Sequence, residues 1–113
     1  MKMKVMMTAI CIAGMSMLTM AQSTKEKIVI KTSAVCDMCK TNIEEAVYKV
    51  DGVKSVYLDL ESKEASVKYD ASLVSKEAIM KAITMAGYDA NELMADEKAY
   101  QNLNACCKKD AVH

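Results

Sequence analysis

Cys36 and Cys39 are the residues in this sequence whose type and spacing are best suited to act as a unit. Thiolates are soft ligands, and a Cys-x-x-Cys at a loop-to-helix junction brings two of them to one ion. If Cys39 falls in the first turn of a helix, the free amides and the helix dipole there favour its thiolate form. Two sulfurs suit copper(I), which accepts two or three ligands, and also mercury(II). They leave zinc short of its usual four. The expected ion is copper(I), with mercury(II) or zinc as alternatives. The spacing by itself also allows a disulfide or a redox motif. A thioredoxin-type site is built beside a cis-proline, and this chain contains no proline. A disulfide-carrying redox or interaction domain remains the rival from a different class.

A second pair, Cys106 and Cys107, lies in the tail. Adjacent cysteines seldom bridge each other, because the ring strains the peptide between them. The tail pair is therefore read either as free or cross-linked thiols, or as a third and fourth sulfur for Cys36 and Cys39. The second reading requires the tail to fold back. Met38, between the motif cysteines, and the terminal His113 are read as solvated rather than ligating. No nucleophile–base pair and no phosphate loop is present, so the chain is read as a binding protein and not an enzyme.

These residues need elements to position them. Lys27 to Thr32 is a short β-branched strand, and Ser33 to Met38 a loop. From Cys39 the period becomes helical, with Ile43, Ala46, Val47 and Val50 on one face, and Asp51-Gly52 ends the helix. Val56, Leu58 and Leu60 alternate with polar neighbours, as do Ala65, Val67 and Tyr69 after a polar turn, which predicts an antiparallel hairpin. Ser75 is an N-cap for a second helix carrying Ile79, Ala82, Ile83 and Ala86, and Gly87 stops it. Tyr88 to Leu93 is a weak, polar candidate for a fourth strand, and Ala95 to Leu103 is helical. The order gives an α+β fold, a ferredoxin-like βαββαβ sandwich, with an added C-terminal helix and a cysteine-containing tail.

The chain of 113 residues has room for one compact domain. Lys2 and Lys4 precede an apolar run from Val5 to Met20 that ends in Thr19-Met20-Ala21. This is the pattern of a secretory signal peptide at residues 1–21. Cys11 sits in a poor context for lipid attachment. The metal-binding domain is then expected at 22–93 and the helix and tail at 94–113. Cleavage removes Lys2 and Lys4, and with no arginine in the chain the remainder is slightly acidic. Nucleic acid is accordingly not an expected partner, and no stable membrane insertion is expected after cleavage. The destination is an exported one, the periplasm. Cysteines there meet an oxidising environment.

Ala-Val-Cys-Asp-Met-Cys-Lys, the helix, Val-Asp-Gly-Val, the hairpin and Ala-Gly-Tyr resemble the heavy-metal-associated domain over about residues 27–90. The resemblance implies that Cys36 and Cys39 bind the metal and that Tyr88 lies close by as a shielding residue. It also implies a copper chaperone, an ATPase module or a periplasmic mercury-binding protein as the kind of molecule. A metal-transporting membrane protein that accepts the ion by thiolate exchange is the implied partner. Members of the family commonly carry Met two positions before the first cysteine; this chain has Ala34 there.

Overall fold

The computed structural model describes residues 24–108. The expected signal sequence, Cys11 and His113 lie outside that range. Three strands and two longer helices form the body: β1 (Lys25–Lys31), α1 (Asp37–Tyr48), β2 (Val53–Asp59), β3 (Glu64–Asp70) and α2 (Lys76–Met85). A short helix α3 (Glu97–Gln101) and a 3₁₀ turn (Ala105–Cys107) follow.

The sheet is antiparallel, in the order β1-β3-β2. Alternation sets its register. Ile28 lies opposite Val67 and Ile30 opposite Ala65 on one side of β3. On the other side, Val56 lies opposite Val67 and Leu58 opposite Ala65. Each pair puts apolar side chains on the same face, since a slip of one residue would turn them all to water. Cys39, Ile43 and Val47 from α1, with Ile79 and Ile83 from α2, close over that face in one buried cluster. The aliphatic core and the ferredoxin-like α+β arrangement expected from the residue pattern are both present.

α1 begins at Asp37, two residues before the apolar period becomes visible. Asp37 and Met38 are exposed, so they leave no trace in that period, and Cys39 is the first side chain on the buried face. Gly52 turns the chain out of α1 with φ +98. Ser75 caps α2, its hydroxyl accepting from the Ala78 amide at 3.1 Å. Gly87 (φ +104) ends α2. Its amide bonds to the Thr84 carbonyl and that of Tyr88 to Ile83, the double closure typical of a left-handed C-terminal residue.

The expected fourth strand from Tyr88 to Leu93 is not formed. Ala90 makes isolated bridges to Thr32 and to Leu93. Asn91 supplies the reason. Its backbone is left-handed (φ 53), and its side-chain oxygen accepts from the Lys31 amide at 2.9 Å. The side chain takes the place a strand carbonyl would fill, and the backbone turns away after one bridge. The helix expected over 95–103 is shorter, with Asp96 accepting from the Ala99 amide at 3.0 Å to begin it. It stops at Gln101, where Asn102, a poor helix former, takes the C-cap.

Candidate metal centre

Cys36 occupies the N-cap of α1 in an extended conformation (φ −155, ψ 172). The helix therefore starts beneath it, and Cys39 lies one turn in. Their sulfurs are 3.2 Å apart. Cys39 is fully buried and Cys36 partly so. Ala34 is fully buried as well, and its amide donates to the Thr32 hydroxyl at 3.2 Å. The loop before the pair is thus held without the bulkier methionine of the family pattern.

The tail folds back onto this pair. Cys36 Sγ lies 3.7 Å from that of Cys107 and 3.9 Å from that of Cys106. The two tail sulfurs are 4.0 Å apart. The Cys39 thiol points at the Cys107 carbonyl, 3.8 Å away. Cys107 is buried and Cys106 exposed, and all four thiols are unbridged. Cys36, Cys106 and Cys107 have their sulfurs within 4.8 Å of one another, a grouping fit to hold an ion among the described residues.

Burial opposes ionisation of Cys36. Hydrogen bonds from the Cys39 thiol and amide, and from the tail thiols, outweigh it and bring its pKa down to about 7. Cys107 goes the other way, pushed by burial up to about 12. The same electron-rich cluster thus holds one thiol near ionisation at neutral pH and keeps its neighbour protonated.

Tyr88 is fully buried against this cluster. Its hydroxyl accepts from Asn42 Nδ2 at 3.0 Å, and it interacts electrostatically with the Cys107 thiol. Burial raises its pKa above the ordinary phenol value. Met38 is exposed on the outer side, where its sulfur accepts from Asn104 Nδ2 at 2.8 Å.

Three contributors are not evident from the residue types alone. Asn42 lies one turn beyond Cys39 on α1, a spacing that points it to the same region, and it fixes the Tyr88 hydroxyl. Leu103 packs against the core and anchors the tail. Gly87 makes room for it: a Cβ there would stand 3.0 Å from the Ala99 carbonyl and 3.1 Å from Leu103. Nothing in the spacing of the tail residues announces that contact, since it joins positions that only the fold brings together.

Comparison with known proteins agrees with this geometry. Residues 29–89 match the profile described as the heavy-metal-associated domain. The chain is 36% identical over 63 residues to the copper chaperone CopZ of Staphylococcus haemolyticus strain JCSC1435, covering 56% of this chain and 93% of that one. It is 35% identical over 75 residues to copper-transporting ATPase 1 of Rattus norvegicus, covering 66% of this chain but only 5% of that one. Among solved structures, oxidised MerP from Ralstonia metallidurans CH34 superposes with a TM-score of 0.58 at 26% identity, over 59% of this chain and 94% of that one. The family profile ends at residue 89, so Cys106 and Cys107 lie outside it.

Proposed function

The chain belongs to the heavy-metal-associated domain family, and from that premise we propose that it is an exported carrier of copper(I), held by Cys36 and Cys39 and passed on or sequestered by thiolate exchange. The observation that carries the reading is the pair of sulfurs 3.2 Å apart at the first turn of α1. A soft ion is favoured there because both donors are thiolates, and the similarity to a copper chaperone and to a module of a copper-transporting ATPase points to copper. Such a pump is the natural partner, its own thiols replacing Cys36 and Cys39 one at a time. Export rests on the Lys2/Lys4 start, the apolar run and Thr19-Met20-Ala21. In the described residues no helix is long and apolar enough to cross a membrane. Tyr88, buried beside the sulfurs, shields the ion from water.

Titration of the reduced protein with copper(I) against a competing chelator tests the reading. Tight one-to-one binding is expected. Cys36→Ser should weaken it by more than the 10–100-fold (roughly) of a change just outside the ligand set. No tight binding under reducing conditions overturns the proposal. Mercury(II), which two thiolates also suit, is the second reading. Metal analysis of the protein isolated from its own cells decides between the two.

A further inference from the structure

The tail is folded so that two more sulfurs face Cys36, and from this arrangement we propose that Cys106 and Cys107 are metal ligands, forming with Cys36 a three-thiolate pocket that retains the ion. The inference rests on the soft-metal reading above and deepens it: the ion taken up at Cys36 and Cys39 is retained at Cys36, Cys106 and Cys107, with Cys36 common to both sets.

The size of the triangle carries the argument. Its edges are 3.7, 3.9 and 4.0 Å. The point equidistant from the three sulfurs lies about 2.2 Å from each, close to a metal–thiolate bond of about 2.3 Å as in zinc sites. A trigonal soft ion therefore fits with no movement of the sulfurs. The Cys36–Cys39 pair is 3.2 Å apart, whereas a linear two-thiolate ion would hold its sulfurs at about twice that bond length, or roughly 4.6 Å. That pair must open to take an ion alone. Each thiol that joins the ion releases its proton to solvent.

The tail is also held where it is. Leu103 is packed on the core, the Asn104 amide bonds to Met38, and the Ala105–Cys107 turn presents both sulfurs to one side. Cys107 is 1% exposed, while Cys36 is partly buried and Cys106 exposed. An acceptor's thiols reach such an ion from the side of Cys36 and Cys106, and must displace the tail sulfurs to remove it. The domain body binds and the tail sets how long the ion stays.

The test loads the reduced protein with one equivalent of copper(I). X-ray absorption should count three sulfurs around the ion, falling to two in Cys106→Ser/Cys107→Ser. The double variant should bind at least about tenfold more weakly and release the ion faster to added dithiothreitol. Cys107 is buried, so Cys106→Ser alone, at an exposed position, guards against misfolding; it too should weaken binding and speed release. Unchanged sulfur count, affinity and release in both variants overturn the tail proposal. If Cys36→Ser still abolishes binding in that case, the two-cysteine function stands. If the unaltered protein binds no copper(I), the functional reading itself has failed.

Discussion

The two cysteine pairs meet at one point but are held there differently. Cys36 and Cys39 are fixed by the body of the fold: β1 delivers the loop, α1 starts under Cys36, and Cys39 is part of the core. Moving them means unpacking Ile43 and Val47 behind them. Cys106 and Cys107 are fixed by a docked segment held by the buried Cys107 itself, Leu103, the Asn104–Met38 bond and the close approach at Gly87. Segments with few buried apolar contacts open at lower free energy than the core does. The difference teaches that binding and release can be assigned to separate parts of a small chain.

Gly87→Ala should separate the parts most strongly. The left-handed φ of +104 costs a side chain about 1–2 kcal/mol, and the new Cβ would press on the Ala99 carbonyl 3.0 Å away. Denaturant unfolding should report that loss. Amide exchange should rise at 105–108 while the buried amides of α1 stay protected. Equal loss of protection in both regions would mean the tail is no looser than the body.

Tyr88→Phe probes the link between them, because its hydroxyl accepts from Asn42 on α1 and interacts electrostatically with the Cys107 thiol in the tail. A loss of about 1 kcal/mol is expected from the missing bond. A double-mutant cycle with Cys107→Ser should give a non-zero coupling. Zero coupling would break the link.

The smallest effect serves as a control at the far end of the sheet. Asp70 accepts from the Ser72 hydroxyl and amide at 2.6 and 2.9 Å, and from Thr24. These bonds, the Ser72 hydroxyl first, lower its pKa to about 2. The folded value lies below the unfolded one near 3.9 (approximately). Its stabilising contribution is thus complete above that value and is lost as pH falls toward 2. The group is exposed, so the effect on stability is slight. An NMR titration of its carboxyl should give the low midpoint in both the unaltered protein and Gly87→Ala. A midpoint that moved with the tail would show that the two ends are not independent.

The body was legible in the residues because its signals are periodic. Ile28 and Ile30, the hairpin alternation, and the Ile79–Ile83 face each repeat at the spacing of their element. Ser75 and Gly87 mark real boundaries of α2. The apolar period places the start of α1 two residues late because Asp37 and Met38 face water and carry no apolar signal. Tyr88 to Leu93 failed as a strand because Asn91 competes for the strand's own hydrogen bonds through its side chain. The return of the tail was legible only as an option. Cysteine count allowed it, but the contacts that fix it join Gly87 to Ala99 and Leu103, and Met38 to Asn104. Those meetings follow from packing and carry no short-range pattern.

Replacing a fourth strand by a single bridge has a consequence for life in a crowded solution. Among the described residues, β1 is a flank of the sheet, and past Lys31 and Thr32 its outer side has no partner strand. An open flank is a template for adding a foreign strand and so for aggregation. Here Val29 is half exposed, with Lys27 before it and Lys31 after it on the same side of the strand. A second copy approaching edge to edge would bring like charges together on either side of Val29. The lysines of β1 thus act as a guard on solubility, allowing the segment after α2 to lead to the cysteines instead of finishing the sheet.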